Sequence, residues 1–200
     1  MRLIRALKKL KAFQGLTEQE LAWVLYDVGN SAYTMLACSL IPIWFKSIAV
    51  GPAPGQISSD NATAYYSLAI SIVTVAVALL GPVLGALADH KDKKRMYFTS
   101  AAALGMIFCV LTGFAWSWLL FLILFVVTKI CYSASLTIYD SMLGDITTED
   151  RMDEVSSNGF ARGYLGSCIP FLIALIAYVL GPDMVGLIPA LLSRGIGVFV

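Results

Sequence analysis

Charge is scarce in this sequence. Asp, Glu, Lys and Arg make up 14% of its 200 residues, against roughly 25% in soluble domains. With 58% of the residues hydrophobic, too little polar surface remains to cover a water-soluble globule. Histidine is reduced to His90, and the four cysteines (Cys38, Cys109, Cys131, Cys168) stand apart in apolar runs. Neither pattern has the spacing of a metal site or a disulfide framework, and the cysteines read as small apolar packing residues. No glycine-rich phosphate loop and no nucleophile–base pairing is visible. A nucleotide-driven pump and a hydrolase are therefore not expected, nor is enzymatic activity in general. No cofactor, no metal and no nucleic-acid partner is expected either. The basic residues at the N-terminus continue to Lys11 with no cleavage pattern behind them, which argues against a removable signal.

What the chain has instead is long apolar runs around short charged turns. Residues 61–88 and 96–128 carry no charge, and between them lies the basic turn Asp89-His90-Lys91-Asp92-Lys93-Lys94-Arg95. Runs of this length read as membrane helices, with the lipid bilayer as their solvent. Residues 1–16 read as a basic amphipathic segment on the anionic cytoplasmic leaflet, or as a merely solvated basic tail, with Leu3, Leu7, Leu10 and Phe13 at helical spacing among Arg2, Arg5, Lys8, Lys9 and Lys11. Thr17-Glu18-Gln19-Glu20 fits a capping box, and Leu16 and Leu21 fit the hydrophobic staple across it. The membrane domain, residues 17–200, is expected to hold spans at about 18–48, 62–88, 95–115, 118–143 and 158–180. A partial sixth is expected from about 185–195 onward. Pro42 is expected to kink the first span. Residues 144–157 read as a charged, solvated loop. The last residues, Gly195-Ile196-Gly197-Val198-Phe199-Val200, read as a truncated sixth span. The excess of Lys and Arg at the N-terminus and in the 89–95 turn places both in the cytoplasm, together with the 144–157 loop.

Polar residues at membrane depth are the candidates for function, because in lipid they are costly unless they face a cavity or a partner helix. At 1.5 Å per residue, Asp27 lies roughly 9 Å and Tyr33 roughly 18 Å inside the cytoplasmic boundary. Asp27, Asn30 and Ser31 share one face of the first span, and Tyr26, Asn30 and Tyr33 an adjoining one. Two readings stand: a cavity wall with Asp27 as proton or cation carrier, or a hydrogen-bond set that packs helices. In the fourth span Lys129, Tyr132, Ser133 and Leu136 follow helical spacing. Lys129 would bind an anionic group, pair with a carboxylate or snorkel outward. Arg162 would pair with Asp140 or Asp145 as a cytoplasmic gate, or meet lipid headgroups. Gly159 and Gly163, like Gly81 and Gly85, read as small-residue seams for close helix contact. His90 reads as a surface residue.

The stretch Gly85-Ala86-Leu87-Ala88-Asp89-His90-Lys91-Asp92-Lys93-Lys94 resembles the motif between helices 2 and 3 of major facilitator transporters. It departs from that motif in carrying Asp92 for glycine and Lys93 for arginine, and Lys93 loses bidentate pairing. The resemblance implies a gating motif of Gly85, Asp89, Lys93 and Lys94, in which Asp89 docks onto a helix of the second half and holds the outward-facing state. Trp23 to Tyr33, Tyr139-Asp140-Ser141 to Asp145, and Val155 to Gly166 together resemble the vacuole-effluxer branch. That branch is related to the autophagy-linked vacuolar amino-acid exporters of fungi and is widespread in bacteria. The resemblance covers about residues 20–170 and implies an all-α multipass fold, the N-terminal six-helix half of a twelve-helix transporter, with five complete spans and a truncated sixth. It further implies alternating-access secondary transport of a small polar solute, such as amino-acid efflux. Asp27, Asn30, Tyr33, Lys129 and Tyr132 would line the pathway, with protons a candidate coupling ion. A C-terminal half or a second copy would be needed to complete the cavity. The bacterial cytoplasmic membrane is the expected location, the vacuolar membrane the alternative. A degenerate half-transporter, or a membrane interaction protein without transport, is the competing expectation.

Overall fold

The structure is a computed structural model that describes residues 15–89 and 91–180. Most of the basic N-terminal segment (residues 1–14), His90 and the expected sixth span lie outside the described residues. Five helices follow in order: α1 Glu18–Ala49, α2 Ser59–Ala88, α3 Lys91–Thr112, α4 Trp118–Ile146 and α5 Glu149–Leu180. All five are long and apolar enough to cross a membrane. The protein is therefore an all-α, multipass integral membrane protein. The described residues hold no strand, only an isolated bridge between Val50 and Ile57.

The helix starts follow from local chemistry. At α1 the capping box forms in full: the Thr17 N–H donates to Glu20 Oε2 at 2.7 Å, and the Glu20 N–H donates to Thr17 Oγ1 at 3.2 Å. Gly15, with φ +93°, turns the chain into this cap in a region that other residues enter at a cost. Ser58 caps α2 through the Asn61 N–H at 3.3 Å, so α2 starts three residues before the apolar run expected from 62. Ser117 caps α4 through the Leu120 N–H at 3.2 Å. The third span is shifted toward its start, Lys91–Thr112 in place of 95–115. It ends in a tight turn whose N–H groups at Gly113, Phe114 and Ala115 bond three residues back.

The largest difference from the expected boundaries is at α5. The stretch read as a charged loop over 144–157 is helical from Glu149, and α4 runs on to Ile146. Two acidic residues, Glu149 and Asp150, occupy the first turn of α5, where the helix dipole favours negative charge. A 32-residue helix exceeds the roughly 20 residues that a bilayer core requires. Its charged first turns can therefore stand in water while the apolar remainder crosses.

The chain divides into two compact units, Met1–Cys38 with Ser141–Val179 and Ser39–Asp140 with Leu180–Val200. In the first, Leu16, Leu21, Val24 and Val155 are buried together, with Trp23, Leu25 and Leu143 packed on them. This extends the staple expected of Leu16 and Leu21 into a small core.

In the second unit the core is aromatic. Phe45 and Phe121 are completely buried. The Phe121 ring meets Trp44 edge-on at 5.2 Å, Phe45 at 5.7 Å and Phe125 at 6.5 Å, while Tyr66 stacks on Phe125 at 5.5 Å. Trp118 stacks on Tyr65 at 5.1 Å and donates its Nε1–H to the Gly55 carbonyl at 2.9 Å, tying the 50–58 loop to the start of α4. In this unit α2 and α3 pack together, and Gly105 of α3 lies against Cys131 and the backbone of Tyr132 in α4.

The burial pattern of α2 is the reverse of a soluble helix. Its buried positions are Ala62, Ala69 and Val73, while Leu68, Ile72, Val75, Leu79 and Val83 are exposed along one stripe. Small residues inside and large apolar ones outside is the arrangement lipid selects. Among the described residues, no helix packs into the seam expected of Gly81 and Gly85. A Cβ at either would meet nothing within 4 Å among the described residues, so the faces they open are not filled there.

Candidate substrate pathway

The polar groups expected to line a pathway fall in both units. Asp27, Asn30, Tyr33 and Arg162 belong to the first; Lys129, Tyr132, Asp140 and the basic turn belong to the second.

In the first unit α1 is laid along the glycine face of α5. Gly159 and Gly163 are buried, and a side chain at either would collide with α1: with Trp23 at Gly159, with Ser31 and Asp27 at Gly163. Gly166 is similarly filled by Val28. The seam expected of Gly159 and Gly163 is therefore real and one glycine longer. Asp27 sits in it, 7% exposed. The Asn30 side chain hydrogen-bonds the Asp27 carboxylate, while Asn30 Oδ1 is itself buried with no hydrogen-bond partner. Tyr33 and Arg162 are half-buried. Further along the same two helices, the fully buried Ser167 donates to the Tyr164 carbonyl at 2.8 Å and approaches Met35 Sδ at 3.0 Å.

A second polar cluster, at the start of α1, was not among the sequence candidates. Glu20 is 1% exposed. Its carboxylate accepts from the Thr17 N–H at 2.7 Å and from Thr147 Oγ1 at 2.8 Å, and it pairs with Arg151 Nη1 at 3.3 Å. Arg151 also donates from Nη2 to the Gly15 carbonyl at 2.8 Å and lies 3.7 Å from Glu154. Thr17, Glu20, Asp145, Thr147, Thr148 and Arg151 are among the residues lining a groove of about 340 Å³. The sequence signal was present but half-read. The capping box explains why residue 20 is Glu, yet an acid also suits a basic partner more than 120 positions away, which spacing does not reveal.

In the second unit Lys129 Nζ stands 5.1 Å from the centre of the Tyr132 ring, and both residues are half-buried. A cation–π contact of this kind contributes about 0.5–2 kcal/mol and lowers the cost of an ammonium at membrane depth. The two residues chosen from helical spacing thus act as a pair. Asp140 is exposed. In the basic turn Gly85, Asp89 and Lys93 are exposed, whereas Lys94 is 8% exposed. Among the described residues no group of His, Cys, Asp and Glu could hold a metal ion.

Residues 30–200 match the family model described as Major Facilitator Superfamily. Over 167 residues the chain is 39% identical to a Bacillus subtilis (strain 168) protein described as an uncharacterized MFS-type transporter, YxiO; the aligned region is 82% of this chain and 38% of the relative. The chain thus spans well under half the length of that relative. No solved structure matches.

Proposed function

The chain belongs to the major facilitator superfamily, and on that premise we propose that it is the N-terminal helical part of a secondary active transporter for a small polar solute. Transport proceeds by alternating access, with two halves rocking about a site near the bilayer midplane. The wall in this chain is drawn from Asp27, Asn30 and Tyr33 on α1 and from Lys129 and Tyr132 on α4. A C-terminal half, or a second copy of the chain, supplies the opposing wall. Asp89 with Gly85, Lys93 and Lys94 forms the cytoplasmic lock, and Asp140 with Arg162 a second closure on that side. The N-terminus is cytoplasmic and the membrane is the bacterial cytoplasmic membrane. Within the superfamily, we place the chain in the vacuole-effluxer branch, with amino-acid efflux as its task and protons as coupling ion. A carboxylate and an ammonium in one pathway suit a zwitterion.

The observation that supports this best is Asp27, a carboxylate almost fully buried at membrane depth with an amide turned toward it. Such a group is costly to keep and in membrane helices marks ion and solute paths. The test is uptake into proteoliposomes with radiolabelled leucine, lysine and glutamate as neutral, cationic and anionic probes, across a pH series. Asp27→Asn is expected to abolish the pH dependence and reduce uptake at least about tenfold, the loss that follows from removing about 1.4 kcal/mol of needed interaction. Unchanged uptake with an unchanged pH profile would remove Asp27 from the mechanism.

A further inference from the structure

The three glycines of the α1–α5 seam have different neighbours. A Cβ on Gly159 would meet the Trp23 indole at 2.7 Å, with Asp27 Oδ2 at an ordinary 3.5 Å. On Gly166 it would run into Val28. At Gly163 the close neighbours are polar: Ser31 Oγ at 2.8 Å and Asp27 Oδ2 at 2.9 Å. The missing side chain at 163 is thus the space that the carboxylate occupies. Along α5 the carboxylate meets Gly159 and Gly163; Arg162, the nearest charged residue in that sequence, is half-buried. From its own helix it takes the Asn30 hydrogen bond. That bond aligns the amide with Asp27 and leaves Asn30 Oδ1 buried and unpartnered, a loss normally avoided in a protein interior. A small-residue seam alone would need no carboxylate in it, and a packing seam would be better served by Ala or Ser at 27.

We propose that Gly163 is a positioning residue for Asp27: it holds open the niche that fixes the carboxylate's depth and its hydrogen bond to Asn30. The inference rests on the pathway role given to Asp27 above, but its test needs no transported solute. A methyl group at 163 displaces the carboxylate from the niche and loosens the Asn30 bond, and the proton affinity of Asp27 changes with it. A methyl group at 159 or 166 displaces Trp23 or Val28 and leaves the carboxylate's partners in place.

The probe is the proton itself. Infrared difference spectra of the purified chain in lipid nanodiscs are recorded through a pH titration, and the protonated-carboxyl band lost in Asp27→Asn is followed. In Gly163→Ala the midpoint of that band is expected to move by about one pH unit, a tenfold change in proton affinity. In Gly159→Ala and Gly166→Ala it stays within about 0.2 units of the parent, although all three variants unfold at lower temperature because each overfills the seam. Should Gly163→Ala fail to fold, Ser31→Ala with Gly163→Ala removes one of the two close contacts and carries the same expectation. A folded Gly163 variant with the parent's midpoint, an equal shift in all three glycine variants, or the absence of any Asp27-dependent band overturns the proposal. A band that follows Gly163 while Asp27→Asn leaves uptake intact sustains the positioning role and ends the transport role. The two ideas therefore fail separately.

Discussion

Glu20 and Arg151 are an unequal pair, and the inequality predicts how each responds to removal. The carboxylate is buried and engaged by three donors, while the Arg151 side chain is one-third exposed. Deleting the acid leaves the Thr147 hydroxyl and a partly buried guanidinium short of an acceptor. Deleting the base leaves Glu20 its two other hydrogen bonds and admits water to the vacated space. Hydrogen bonds to a buried charge are worth about 1.5–3 kcal/mol each, and an ion pair open to water about 0–1 kcal/mol. Glu20→Ala is therefore expected to destabilise by about 3 kcal/mol, and Arg151→Ala by about 1 kcal/mol, in denaturant unfolding followed in detergent micelles. Equal losses would mean that the ion pair rather than the neutral donors holds the carboxylate. At this scale the sequence was legible where a rule is local. Thr17 and Glu20 are three apart, and their reciprocal bonds follow from that spacing alone. Thr147 and Arg151 reach Glu20 through the fold, and no local rule brings them there. Asp27 was legible as a costly residue but not as the occupant of a glycine niche, because the niche is made by another helix.

At the scale of elements, the starts expected for α1 and α4 held, at Glu18 and Trp118, while the starts of α2, α3 and α5 all lie earlier in the chain than the apolar runs suggest. Ser117, which caps α4 in the structure, stands immediately before the start expected at 118. The 144–157 stretch misled because charge density reads as a solvated loop, yet a helix can carry charge once it has left the bilayer. The aromatic knot that ties α1, α2 and α4 was not legible in the sequence. Phe45, Tyr66, Phe121 and Phe125 sit on three helices, and each alone is an ordinary apolar residue of a span. Phe121 is its centre, fully buried and in ring contact with Trp44, Phe45 and Phe125. Phe121→Ala is expected to cost about 3–5 kcal/mol, as other buried aromatic truncations do. It should also loosen the 50–58 loop, whose tie runs from Gly55 to Trp118 at the same end of α4. Limited proteolysis reads this directly: cleavage within 50–58 should become faster in Phe121→Ala and in Trp118→Phe, which keeps the ring but loses the indole donor. A loop equally resistant in both variants would show that the Val50–Ile57 bridge and the Gln56 contacts suffice to hold it.

At the scale of the whole molecule the signal is the distribution of Lys and Arg. Five lie in residues 2–11 and four in 91–95, while the connections at 50–58 and 113–117 contain none. On the proposed topology, in which all five helices cross, the N-terminus, the turn after α2 and the turn after α4 share one side, and the other two connections the opposite side. On that topology the positive residues fall on a single side, and the positive-inside rule predicts that this side faces the cytoplasm. Lys46, in the last turn of α1, is the counterweight. It is a single charge against nine, and it does not reverse the bias. Replacing Cys38, Cys109, Cys131 and Cys168 by Ala or Ser provides a background in which one new cysteine reports one position. Ala53→Cys is expected to react with a membrane-impermeant maleimide on intact cells. Thr148→Cys, exposed at the start of α5, should react only after the membrane is opened. Because the two sites are separated by three helices, an inverted chain would exchange their behaviour, and a chain in which one of those three failed to cross would label both from the same side. Reversing the charge of the 91–95 cluster, Lys91, Lys93, Lys94 and Arg95 to Glu, tests the cause. If the excess of Lys and Arg sets orientation, the labelling pattern becomes mixed; if the hydrophobic spans alone set it, the pattern is unchanged.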